Sequence, residues 1–131
     1  MKIAQISHWD KATNYAQISP NGQTAAFGSP IGGICQVFVM LTSGGEPLQL
    51  TTDEGDKITD SFSPDGAEIY YGRLFGRAQE WSVPTLGGKP THVVAGIQVV
   101  SSADGNFLFF SGPPVALKPP FAFPLLNGSN A

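Results

Sequence analysis

The stretch Phe62-Ser63-Pro64-Asp65-Gly66, followed by Ile69-Tyr70-Tyr71, decides the fold, because its turn and apolar pattern stand at two other places in the chain. Upstream it reads Ile18-Ser19-Pro20-Asn21-Gly22 and then Ala25-Ala26-Phe27. Downstream it reads Ser101-Ser102-Ala103-Asp104-Gly105 and then Leu108-Phe109-Phe110. The turn glycines stand 44 and then 39 positions apart. Two further landmarks keep step. Gly44-Gly45-Glu46-Pro47 recurs as Gly87-Gly88-Lys89-Pro90, and Gln5-Ile6-Ser7 recurs as Gln49-Leu50-Thr51. A unit of about 40 to 45 residues holding four short strands is what one blade of a β-propeller requires.

The strands follow from local chemistry. Asn21-Gly22 and Asp65-Gly66 are hairpin dipeptides, since glycine adopts positive φ without a Cβ clash. They join innermost strands ending at Gln17 to Ser19 and Ser61 to Ser63 to second strands over Thr24 to Gly28, Glu68 to Arg73 and Phe107 to Ser111. Third strands are expected over Gln36 to Leu41 and Glu80 to Pro84. After the Gly-Gly turns come outer strands over Pro47 to Thr51 and Pro90 to Ala95, where an edge position tolerates proline. The glycine-rich stretch from Gly28 to Gly33 lacks the Gly-Lys-Ser/Thr ending of a phosphate loop and reads as a loop between second and third strands. Beyond Ser111 the prolines prevent regular central strands, leaving Val115 to Lys118 and Phe121 to Leu126 as short edge strands. The expected organisation is one all-β domain: blade 1 over about 14–51, blade 2 over about 58–95 and a partial blade 3 over about 97–126. Residues 3–7 are the outer strand of a neighbouring blade.

Composition agrees and narrows the function. The 131 residues are 41% hydrophobic and 13% charged, with 16 glycines and 11 prolines, which suits many short strands and disfavours disorder. Net charge is −3 and the seven basic residues are scattered, so a phosphate-tracking surface for nucleic acid is not expected. Cys35 lies in an apolar run and reads as a buried structural thiol. No stretch approaches bilayer-spanning length and no export signal opens the chain, so no membrane contact is expected and the compartment is left open.

At the Ser-Pro-Asp-Gly turn, the aromatic second strand, the Gly-Gly turn and the Gln-Leu-Thr ending, residues 3 to 111 resemble the TolB-type, WD40-like propeller repeat. Members of that family include TolB, propeller domains of dipeptidyl-peptidase-like hydrolases and tricorn-type proteases, and sensor regions of bacterial serine/threonine kinases. The resemblance implies blades of four antiparallel strands and says little of function, because this fold serves many partners. A complete ring has about six to eight blades, whereas about three are present here. Two explanations stand side by side. Either the chain is part of a longer protein, or two copies combine into six blades with Ile3 to Ser7 completing a partner's sheet.

No catalytic motif emerges. There is no Gly-x-Ser-x-Gly elbow, and His8 and His92 lack partners at metal-ligand spacing and read as surface or turn histidines. Asn127-Gly128-Ser129 matches a glycosylation sequon but reads as chance. The acidic group Asp53, Glu54, Asp56 and Asp60 is the one concentration of like charge. Its spacing is not that of an EF-hand, so it reads as a solvated rim turn, with Asp60 near enough to an inner strand to face the channel. Arg73, Phe75 and Arg77 are the exposed loop set expected to contact a partner, while Trp81 reads as inter-blade packing. The expected function is a non-enzymatic propeller module for protein or peptide binding, with no cofactor and no metal. The alternative is an accessory or sensor propeller of a larger hydrolase or kinase.

Overall fold

The computed structural model describes residue 3, residues 9–111 and the strand at 121–124. Eleven strands lie in this region: β1 (Asn14–Ile18), β2 (Thr24–Ile31), β3 (Ile34–Leu41), β4 (Leu48–Gln49), β5 (Asp56–Phe62), β6 (Glu68–Phe75), β7 (Arg77–Pro84), β8 (Thr91–Val94), β9 (Ile97–Ser101), β10 (Phe107–Ser111) and β11 (Phe121–Pro124). They form three antiparallel sheets, ordered β1-β2-β3-β4, β5-β6-β7-β8 and β11-β10-β9. The sheets do not close into a ring. Among the described residues no helix is long and apolar enough to cross a membrane.

The three inner turns share one side-chain mechanism. The hydroxyls of Ser19, Ser63 and Ser102 donate to Oδ1 of Asn21, Asp65 and Asp104 at 2.8, 2.6 and 2.6 Å. The same oxygens accept the amides of Gln23, Ala67 and Asn106 at 3.0 Å each. Each serine hydroxyl also accepts the amide that starts the next strand, from Thr24, Glu68 and Phe107. Ala103 therefore replaces the proline of the other copies without loss, since the Ser-x-Asx geometry closes the turn.

Several sequence expectations are corrected. The stretch Gly28 to Gly33 is not a loop. Strands β2 and β3 stay paired as far as Ile31↔Ile34, and the chain reverses through Gly32 and Gly33 at φ 59° and 84°. Arg73, Phe75 and Arg77 are likewise strand residues: β6 and β7 pair to Phe75↔Arg77 and reverse at Gly76. Cys35 is half-buried beside the Asn14 side chain, because its strand there lies near the sheet end. Outer strand β4 is only two residues long, although the Leu50 amide still reaches the Val37 carbonyl at 2.8 Å. The edge strand expected near Phe121 exists as β11 and pairs with β10. His8, most of the expected strand Ile3 to Ser7, Val115 to Lys118 and the sequon at Asn127 lie outside the described residues.

Alternation along β2 and β6 sends side chains to opposite faces, and the sheets stack through them. Between sheets one and two, Ala26, Val37, Val39 and Leu50 meet Phe62, Ile69, Tyr71 and Val83, with Trp81 packed against them as inter-blade filler. Between sheets two and three the described residues form a cluster of Tyr70, Val99, Leu108 and Phe110, flanked by Val93 and Val94. The outer face of sheet one, Ala25, Phe27, Phe38 and Met40, is capped by Trp9. The Trp9 ring lies 5.1 Å from that of Phe38, and its Nε1 donates to Ser29 Oγ at 2.9 Å.

Candidate functional site

Two ends of the sheets present functional groups. At the end holding the β6–β7 hairpin, the connector from β4 to β5 carries Asp53 and Glu54, and Asp56 opens β5. Asp53 is shared by two cations: Oδ1 lies 3.1 Å from Lys57 Nζ and Oδ2 lies 3.0 Å from Arg73 Nε. Lys57 is fully buried and also donates to the Asp53 carbonyl, while Arg73 Nε donates to the Glu54 carbonyl at 2.9 Å. Asp56 Oδ1 accepts the Cys35 amide at 2.9 Å. Gln36 Nε2 donates to the Asp53 carbonyl at 3.0 Å, and Gln36 Oε1 accepts the Thr51 hydroxyl at 2.6 Å. The connector, its acids Asp53 and Glu54 exposed to solvent, thus also clamps the first two sheets together. Lys57 and Arg73 both pair with the Asp53 carboxylate, and among the described residues no group of three or more acids, histidines or cysteines is placed to hold a metal.

The clamp has an outward consequence. Arg73, fixed by Asp53 and Glu54, lies with its guanidinium 5.1 Å from the centre of the Phe75 ring. Phe75 is 55% exposed and its neighbour Leu74 is 44% exposed, so an apolar tip stands clear of the sheet. Arg77 lies across the hairpin from Phe75 and is also exposed. The structure thus brings Asp53, Glu54, Asp56, Arg73, Phe75 and Arg77 to one end.

Asp60 is not among them. It occupies the point where β5 slips register against β6, between Thr59 and Ser61. A bulge re-aims the side chain it carries. Asp60 is turned to the junction with sheet three, its carboxyl near Glu80 and the amides of Gln98 and Val99. Inner strands are linked here by side chains: the Ser61 hydroxyl donates to the Val99 carbonyl at 2.8 Å, and the Thr59 hydroxyl to the Tyr15 carbonyl. Glu80 is fully buried, and neither carboxyl oxygen makes a well-formed hydrogen bond. Burial first, and then the Asp60 carboxyl, pushes its pKa up to about 11. Burial likewise raises Asp60, against the opposing pull of Glu80 and the two amides. Glu80 is thus a neutral acid at pH 7.

The opposite end of the sheets holds a cleft of about 480 Å³ between sheets two and three. Its walls include Glu68 and Tyr70 of β6, Ser82 of β7, Val93 of β8, and Asp104 and Leu108 of sheet three. Asp65 and His92 also line it. The His92 Nε2 is 2.6 Å from Gln79 Oε1, and its ring meets Trp81 edge-on at 5.2 Å. The Asp65 and Asp104 carboxyls are held below the ordinary range, chiefly by the hydroxyls of Ser63 and Ser102 and then by turn amides. Glu68 is raised by burial and by the Asp65 charge. Its Oε2 is shut off from solvent without a hydrogen-bond partner.

The sequence reading missed Lys57, Glu80 and this cleft. The repeat held a signal for Glu80. Gly28 pairs with Val37 and Gly72 pairs with Glu80, so a carboxylic acid stands where the preceding blade has a buried valine.

Comparisons with known proteins support the fold alone. No protein-family model matches the chain, and no curated protein matches it. Among solved structures, the putative TolB from Agrobacterium tumefaciens superposes with a TM-score of 0.68 at 22% identity, over 75% of this chain and 38% of that one. TolB from Acinetobacter baumannii superposes with a TM-score of 0.67 at 18% identity, over 86% of this chain and 31% of that one. The chain therefore has a TolB-like propeller fold and spans about a third of the length of these structures.

Proposed function

We propose that this chain is a non-enzymatic β-propeller module that binds a protein or peptide partner through the tip of the β6–β7 hairpin. The observation that carries the reading is the exposed Phe75 ring beside an Arg73 guanidinium already fixed by Asp53 and Glu54. An aromatic with arginine is the composition of interface hot spots. A side chain immobilised before contact loses less entropy on binding. The reading is in keeping with the TolB-like fold, in which rim loops and hairpins are held on a rigid scaffold.

Peptides selected by display against the purified chain provide the test. Phe75→Ala and Arg77→Ala are expected to weaken the selected peptides by about tenfold each, roughly 1.4 kcal/mol, with unchanged circular dichroism and melting temperature. Affinities unmoved by both substitutions would remove the hairpin from the interface.

A further inference from the structure

We propose that the cleft between sheets two and three is a second subsite of the same module, one that takes an arginine or lysine side chain of the bound protein or peptide. This deepens the protein-binding reading and rests on it. Four observations carry it. The first is a difference between the junctions. Where sheets one and two meet, the positions equivalent to Tyr70 and Ser82 are Ala26 and Val39, packed into the larger core cluster. Where sheets two and three meet, the corresponding end stands open as the cleft.

The second is charge. Asp65, Glu68 and Asp104 line the cleft, and among the described residues no lysine or arginine does. The equivalent positions of the first blade, Asn21 and Thr24, are neutral, so the turn and strand do not need the acids for folding. The third is an acceptor awaiting a donor. Glu68 lines the cleft and its Oε2 makes no hydrogen bond, so a donor met by turning this half-buried side chain into the cleft relieves the cost of an unpaired oxygen. The fourth is shape. Tyr70, Val93 and Leu108 provide apolar wall for the aliphatic stem of a long cationic side chain, whose head then reaches the carboxylates. The acids are distributed around the cleft, and among the described residues no three acids, histidines or cysteines are grouped as a metal site. An extended cation suits this arrangement better than a metal ion.

The experiment uses the full chain, labelled with nitrogen-15, titrated with N-acetyl-arginine amide and, separately, with its uncharged analogue N-acetyl-citrulline amide. The expected result is saturable shifts of the amides of Asp65 to Glu68, Thr91 to Val93 and Asp104 to Leu108 with the arginine compound alone. Glu68→Gln and Asp104→Asn are each expected to weaken the arginine compound by about tenfold. Asp104→Asn keeps the oxygen that closes the turn, as Asn21 does in the first blade, so folding is preserved. Equal shifts with citrulline, shifts confined to other regions, or an affinity unmoved by either variant would overturn the proposal. So would calcium chloride reproducing the shifts while the arginine compound does not. Loss of peptide binding in Phe75→Ala alongside an indifferent cleft would sink this inference and leave the binding module standing. A responsive cleft with an indifferent hairpin would keep the cationic subsite and overturn the hairpin as its companion surface.

Discussion

Glu80 shifts the balance of folding against the native state at neutral pH. In the unfolded chain its carboxyl ionises near 4.5, whereas in the fold it holds its proton to about 11. Between those values the native state binds a proton that the unfolded state lacks, so this group makes stability fall as pH rises. Below 4.5 its effect vanishes. Asp60 is raised as well and acts in the same direction. Asp65 and Asp104 are lowered, so their contribution is lost only as the solution becomes acidic. Glu80→Gln, a neutral near-isostere, is expected to raise stability by about 2 kcal/mol at pH 7 and to flatten the decline between pH 5 and 9. Urea melts across that range measure it. A wild-type profile already flat between pH 5 and 9 would show that Glu80 ionises in the fold. At this scale the sequence was partly legible. The acids Asp53, Glu54 and Asp56 were visible as a run of charge, but that Arg73 joins Lys57 on the Asp53 carboxylate depends on the pairing of β5 with β6, which brings residues 53 and 73 together.

Elements were more legible than residues, because turns are written in consecutive letters. The Ser-x-Asx-Gly turns and the apolar second strands fell close to their observed places, since a serine hydroxyl and an Asx oxygen close each turn locally. The stretch Gly28 to Gly33 misled for a physical reason: glycine marks close approach as readily as it marks a turn. A Cβ on Gly28 would strike the Asn14 side chain and come within 2.7 Å of Cys35 Sγ, so a strand glycine was required there. Gly55 shows both causes at once. Its φ is +89°, and an added Cβ would lie 2.7 Å from the Phe75 Cβ and 3.1 Å from the Leu74 carbonyl oxygen. Gly55→Ala is therefore expected to cost about 2 kcal/mol and to displace the hairpin tip. A lowered melting temperature together with weaker binding of hairpin-selected peptides is the expected outcome. An unchanged melt would mean that the connector does not pack on the hairpin.

For the molecule as a whole, stacked sheets behave as a short linear array in which each sheet is held by its neighbours. The two junctions are unequal. Among the described residues the first buries a cluster of eight apolar side chains, whereas the second buries four, carries the buried Glu80 acid and opens into the cleft. Sheet three also turns Val100, Phe107 and Phe109 outward, each about half exposed, so it gains little from its far side. Local opening should therefore begin at sheet three. Hydrogen exchange is expected to show the amides of β9 and β10 opening at lower free energy than those of β6 and β7. Leu108→Ala should speed exchange in sheet three while leaving β6 nearly unchanged, whereas Tyr71→Ala, in the first junction, should lower global stability by about 4 kcal/mol. Glu80→Gln should slow exchange in β9, since it relieves the buried acid at the junction that opens first. If Leu108→Ala accelerated exchange equally in all three sheets, the array would be one cooperative unit and the inequality of its junctions would carry no energetic meaning.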